Sequence, residues 1–280
     1  MLFLERIKEN NNYTEVNKVP LFVGDIRVGQ ICDAYVDYVL SSEIFVFNEG
    51  VISLVEDLKT FQERTDALRI FAEKVLADGL TNRLMNENYP LLETGSSKPL
   101  AFIDRSISTL LGAISFGQHL NAYVLTEEGM KMWIGRRSYT NSHHGGKLDH
   151  LVAGGLPYDV TPHENLKKEC YEEAGMSETL ASTVKNVGLV SYKCEYELGG
   201  KEDIVYCYDI ELDEDFVPRC TDGEVEEFYL MPVEEVAEIV RSTNDFKTNC
   251  NLVIIDFLVR HGFITDEDEE YIEIVQGLRS

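Results

Sequence analysis

Residues 154–176 read GGLPYDVTPHENLKKECYEEAGM. Thr161, Pro162 and Glu164 carry the marks of a helix start: a side-chain cap, a ring with preset φ at the first helical position, and a glutamate three residues after the cap. Gly175 supplies the stop. Between them Leu166, Cys170 and Ala174 recur at helical spacing and face a core, while Glu169, Glu172 and Glu173 share the adjacent arc. Like charges at that spacing repel by about 0.2 to 0.5 kcal/mol per pair on an exposed helix. A hard divalent cation would relieve the repulsion, and carboxylate oxygens are the donors such an ion prefers. The plainer alternative is a solvated face of an acidic protein.

The rest of the chain gives that choice a setting. Its 280 residues hold one large domain or two ordinary ones. No apolar run approaches a bilayer span of roughly 20 residues. The start, MLFLERIKENNN, reaches charge too early for a secretory signal, so a cytoplasmic location is expected. Six scattered cysteines without a CxxC pair exclude a zinc-clamp or redox-dithiol signature. Fifty acidic against twenty-five basic residues give a net charge of −25, which opposes generic binding to nucleic acid or to anionic membranes.

PLFVGDIRVGQI and EIFVFNEGVISLV read as short strands, the second turning at Asn-Glu-Gly. TFQERTDALRIFAEKVLADG reads as a helix, and a second helix is expected over Ser106 to Ile114. From Asn121 strands dominate: NAYVLTEEGMKMWIGRRS is a strand pair, and KNVGLVSYKCEYE and EDIVYCYDIEL flank the turn LGGKE. EEFYLMPVEEVAEIVRS passes from strand to helix, NLVIIDFLVRHG is an apolar helix, and the acidic tail TDEDEEYIEIVQGLRS is expected to be a solvated surface element.

The glycine and acid segment resembles the Nudix box, Gx5Ex7REUxEExGU with U aliphatic. Gly154 matches the first glycine, Lys168 and Glu169 the RE pair, and Glu172, Glu173, Gly175 and Met176 the close. Val160 stands in place of the first glutamate and Lys168 in place of the arginine. Over most of the chain, WIGRRS, GKLDHLVAGG, KKECYEEAG and DFLVRHGFI resemble the thiamine pyrophosphokinase-related Nudix subfamily, in which the altered box is usual. AFIDRSISTLLGAISFGQHLNAYV is similar to its domain junction, and RLMNENYPLL to an element that precedes it.

The resemblance implies an α+β chain: a Nudix α/β/α sandwich with a mixed sheet over residues 118–280, including C-terminal helices, preceded by a smaller α+β domain over residues 1–117. It implies hydrolysis of thiamine diphosphate or its oxidised analogues to the monophosphate and phosphate. The alternatives are a pyrophosphatase of a nucleoside diphosphate derivative such as ADP-ribose, and a binding module on the same fold without catalysis. A prenyl diphosphate isomerase fits less well, because Cys170 reads as a core residue.

Such chemistry needs cations to neutralise the diphosphate and acidify water; Mg2+, with Mn2+ as a substitute, is the expected cofactor. Glu169, Glu172 and Glu173 are the expected ligands and catalytic carboxylates, with Lys168 beside them and Gly154 bringing backbone to the metal. Gly155, Arg136, Arg137, Lys147 and Tyr158 are the expected substrate contacts: the cations for phosphate, the tyrosine for stacking. Strand alternation turns only one of the two arginines inward. Glu224 and Glu226 are candidates for a base or an extra ligand. His143 and His144 lie in a loop that reads as flexible, and ligation by them is not favoured. The N-terminal region has three open uses: completing the base pocket, docking a second subunit in a homodimer, or stabilising its neighbour.

Overall fold

The computed structural model describes residues 2–93, 95–141 and 144–279. Helix α1 (Phe3–Asn10) is followed by the hairpin β1 (Lys18–Val23) and β2 (Ile26–Cys32), then α2 (Asp33–Leu40) and the hairpin β3 (Phe45–Asn48) and β4 (Val51–Leu54). At the tip of the second hairpin Glu49 and Gly50 take φ of 49° and 84°, the left-handed pair that matches the twist of the strands. The four strands form one sheet in the order β2-β1-β4-β3.

Helix α3 (Phe61–Ala77) begins at a full capping box between Thr60 and Glu63. It buries Leu68, Phe71, Ala72 and Val75 with Leu21, Ile31 and Ile52 of the sheet. A two-stranded sheet, β5 (Asn88–Leu91) with β6 (Ala101–Asp104), closes this unit.

The helix expected over Ser106 to Ile114 is not formed. A single 3-10 turn, Arg105–Ile107, is followed by turns that run into the next strand. Two contacts explain why. The Gln30 N–H of β2 donates to the Leu111 carbonyl at 3.0 Å. Gly112 sits at φ 58°, where a Cβ would come within 2.7 Å of the Gln30 nitrogen. Packing against β2 therefore overrides local helix preference.

The second unit is built on β7 (Ser115–Thr126), β8 (Gly129–Arg137), β11 (Lys185–Tyr196), β12 (Gly199–Glu211) and β13 (Val225–Pro232). They lie in the order β11-β12-β7-β8-β13, with β9 (Leu148–His150) on β8 and β10 (Val152–Gly155) on β7. The β12 and β7 pair is parallel among antiparallel neighbours, so the sheet is mixed. Leu120, Ala122 and Val124 of β7 pack with Leu166, Cys170 and Ala174 of α4 (Pro162–Ala174) on one face. On the other face Val205 and Cys207 meet α6 (Val233–Ser242) and α7 (Cys250–Arg260). Helices thus cover both faces, the α+β sandwich that the resemblance implies.

Helix α7 is buried nearly all round, from Cys250 to Leu258, because other helices close the side away from the sheet. One of them is α1, whose Ile7 joins this core and whose buried Arg6 donates to the Val240 carbonyl at 2.8 Å and to Asn244 at 2.7 Å. The acidic tail also differs from expectation. Within α8 (Tyr271–Gly277) and just after it, Ile274 and Leu278, four residues apart, are buried, and Arg279 pairs with buried Asp256 at 2.7 Å. Two apolar residues one turn apart are enough to dock it among its acids.

Candidate active site

Helix α4 forms as its sequence dictates. Thr161 and Glu164 satisfy each other's backbone N–H groups, Pro162 opens the first turn, and Gly175 closes the helix at φ 65°. The loop after β12 holds the C-terminal end: Thr221 N–H donates to the Glu172 carbonyl at 2.8 Å and Arg219 N–H to that of Ala174 at 3.0 Å. Two free carbonyls of the last turn, those of Glu172 and Ala174, are thereby satisfied.

The three glutamates occupy graded environments. Glu173 is buried, and its carboxylate accepts the Ala153 N–H of β10 at 2.8 Å. Burial pushes its carboxyl up to about 8 against that hydrogen bond. Glu169 lies against Gly154, where a Cβ would stand 2.8 Å from its Cδ. Burial raises its pKa too, Lys168 pulling the other way. Glu172 is the outermost of the three, and the Lys168 ammonium bridges it at 3.2 Å to Glu169 at 3.4 Å. Glu169 is the middle member: the charge of Glu172 acts on it, and its own charge acts on Glu173.

The missing side chain at Gly154 thus makes the space a buried carboxylate fills, and the donors are all hard oxygens, which fits a divalent ion of the magnesium class. Gly154→Ala is expected to displace Glu169 and weaken Mg2+ binding about 10- to 100-fold. Calorimetric titration checks this, and unchanged affinity would remove Glu169 from the ligand set.

Beside Glu173 a small cavity is lined by Arg137, Asp149, His150 and Glu224. Arg137 bonds Asp149 at 3.0 Å, whereas Arg136 turns to the opposite side, with bonds of 2.9 Å to the Tyr229 hydroxyl and the Gly146 carbonyl. One arginine of the pair therefore lines the cavity. Lys147 is engaged by the Asn244 carbonyl, away from the helix. Tyr158 bonds the Ser97 carbonyl, and its ring lies 5.7 Å from Phe102, in the junction between the units. Glu224 reaches the cavity rim; Glu226 is exposed next to a bulge in β13. His144 sits in an exposed turn, and His143 lies outside the described residues.

Among the described residues, the metal-capable atoms that converge within 4.8 Å are those of His119, Asp149, His150 and Cys250, all buried, not those of the three glutamates. The two imidazoles meet through Nδ1 at 3.0 Å, and Asp149 accepts from the Cys250 thiol at 2.8 Å. The other oxygen of Asp149 accepts from Arg137 at 3.0 Å and Lys247 at 3.4 Å. Two cations on one carboxylate leave the cluster positive, which opposes a further cation in a low-dielectric interior. Burial also keeps both imidazoles below their usual pKa, hence neutral. The cluster reads as a polar floor behind Glu173.

A group that the sequence reading did not anticipate comes from the first unit. A Cβ on Gly155 would stand 2.6 Å from the Tyr89 hydroxyl and 2.7 Å from the Arg105 Cζ, and Arg105 is paired with Glu87 at 3.0 Å. RLMNENYPLL and the Asp-Arg-Ser of the junction contain these residues, but no spacing rule links them to a glycine some fifty positions later.

Residues 117–249 match the NUDIX domain family, and residues 2–115 match the family described as a domain of unknown function, DUF4743. Nudix hydrolase 20, chloroplastic, of Arabidopsis thaliana is 38% identical over 294 residues, covering 99% of this chain and 78% of that protein. The chain belongs to the Nudix hydrolase family. Nudix hydrolase 24, chloroplastic, of the same plant is 38% identical over 283 residues, again 99% of this chain and 78% of the relative. Among solved structures, the MutT protein from Methanosarcina mazei Go1 aligns over 53% of this chain and 95% of its own, at 18% identity and a TM-score of 0.41. As a Nudix hydrolase the protein acts on diphosphate bonds. No helix among its described residues is long and apolar enough to cross a membrane.

Proposed function

We propose that this Nudix hydrolase cleaves thiamine diphosphate or its oxidised analogues to the monophosphate and phosphate, with Mg2+ bound by Glu169, Glu172 and Glu173 next to Gly154. The observation that carries the diphosphatase reading is the cradle at Gly154, a backbone position left bare so that Glu169 can lie against it. The thiamine part rests on the likeness of WIGRRS, GKLDHLVAGG, KKECYEEAG and DFLVRHGFI to the subfamily described above. Mn2+ as substitute metal, the division of the chain at residues 117 and 118 with α1 lying across it, and a cytoplasmic location belong to the same proposal.

When bound, the ion supplies charge neutralisation and a water of lowered pKa. The chain does the rest. Glu173 is held in place by the Ala153 N–H, and Glu224 stands at the cavity rim, placed to exchange a proton with water. Arg137, anchored on Asp149, presents fixed positive charge beside Glu173. Lys168, bridging Glu169 and Glu172, keeps these carboxylates from repelling one another.

A panel of thiamine diphosphate, its oxidised analogues, ADP-ribose and inorganic diphosphate tests the reading by phosphate release. The thiamine compounds are expected to give the highest kcat/KM; a clear preference for ADP-ribose would replace the substrate assignment. Chelation is expected to reduce turnover to background, and Mg2+ or Mn2+ to restore it. Turnover unchanged by chelator would end the metal assignment.

A further inference from the structure

We propose that Arg105, supplied by the N-terminal unit, binds a phosphoryl oxygen of the diphosphate substrate, with Glu87 as the residue that positions its guanidinium. This inference rests on the diphosphatase reading above.

The placement begins with sheet register. Asn88 of β5 faces Asp104 of β6, and the ladder runs one step further, the Arg105 N–H donating to the Glu87 carbonyl at 3.0 Å. Glu87 and Arg105 are therefore neighbours by backbone geometry, before their side chains meet through Arg105 Nη1 and Glu87 Oε2 at 3.0 Å.

Tyr89 then fixes this sheet end to the catalytic unit. It is buried, it donates its hydroxyl to the Phe116 carbonyl of β7 at 3.1 Å, and the Arg105 guanidinium lies 5.6 Å from its ring centre. The guanidinium is thus laid along the bare backbone of Gly155, while the adjacent Gly154 receives Glu169. The Glu169 charge acts on Arg105 directly.

A pair that served only to join two units would bury and saturate its arginine. Here the side chain keeps 37% of its surface exposed, and beyond the Glu87 contact its N–H groups meet no protein side-chain or carbonyl acceptor among the described residues. A guanidinium carries five donors in a planar fork suited to phosphate. The spare donors lie against Gly155, one residue along the strand from the glycine that receives Glu169, and within reach of the Glu169 charge.

The test compares Arg105→Ala, Arg105→Lys and Glu87→Ala with wild type, by steady-state kinetics on thiamine diphosphate and by calorimetric titration of inorganic diphosphate with Mg2+. Loss of a charge-assisted contact predicts a rise of about 10- to 100-fold in KM and in the Kd for inorganic diphosphate for Arg105→Ala. Arg105→Lys should fall in between, and Glu87→Ala should retain most of the affinity, since the cation remains. An unchanged Kd in Arg105→Ala, or equal losses in Arg105→Ala and Glu87→Ala, would overturn the assignment, the second result marking a mere tie between units. A wild type that binds inorganic diphosphate through Arg105 but turns over none of the panel would instead sink the catalytic reading alone.

Discussion

A chain carrying Glu172→Gln together with Glu173→Gln is expected to release phosphate from its diphosphate substrate at least about a thousandfold more slowly than wild type. Metal-derived stabilisation of a phosphoryl transition state amounts to several kcal/mol, and each 1.36 kcal/mol is a factor of about ten in rate. Glutamine keeps the volume and leaves an oxygen to accept the Ala153 N–H that Glu173 now holds at 2.8 Å, so the fold should survive. Removing the charges also leaves the Lys168 ammonium with Glu169 alone of its two partners. Phosphate release with Mg2+ measures the effect, alongside far-UV circular dichroism. Equal rates in variant and wild type on every diphosphate tried would return the protein to the class of binding modules.

Asp149→Asn should give the largest loss of stability, about 3 kcal/mol, because it removes the buried carboxylate charge that two partly buried cations share. Arg137 and Lys247 both lean on one oxygen of this carboxylate, and its other oxygen accepts the His150 N–H at 2.9 Å and the Cys250 thiol. Burial alone would raise the Asp149 pKa, yet Lys247, the His150 contact and Arg137 together hold it well below the usual 3.8. Because the folded value is depressed, the stabilisation is present above the ordinary carboxylate range and is lost as pH falls through the folded value. Urea unfolding at neutral pH measures the cost. Adding Lys247→Met to Asp149→Asn should recover part of it, and no recovery would mean that shape, not stranded charge, sets the penalty.

Much of the fold was legible because its marks are local. Thr161, Pro162, Glu164 and Gly175 announce α4, and Asn48 to Gly50 announce a hairpin, since caps and turns depend on a few adjacent residues. Ser106 to Ile114 misled because a distant strand, through Gln30, dictates its backbone. The acidic tail misled because Ile274 and Leu278 are few among many charges, and their pocket is made by other elements.

The site divides the same way. Glu169, Glu172 and Glu173 share a helix, so spacing alone groups them. Which arginine faces the cavity follows from alternation only once the strand is known to carry the cavity on one side. Arg105 and Glu87 could not be found at all without the tertiary fold, for it is the Tyr89 hydroxyl on Phe116 that ties their sheet end to β7.

The first helix has a wider effect. Its chain leaves the C-terminal core at Asn10, makes the entire N-terminal sheet, and returns through β7, so the first unit is stitched to the second at both ends. Such a loop of chain cannot swing on a single hinge, and excising residues 118–280 would tear Arg6 and Ile7 from their sockets against Val240 and Gly277. The two halves should melt together as one cooperative block, and the catalytic half should be a poor folder when expressed by itself.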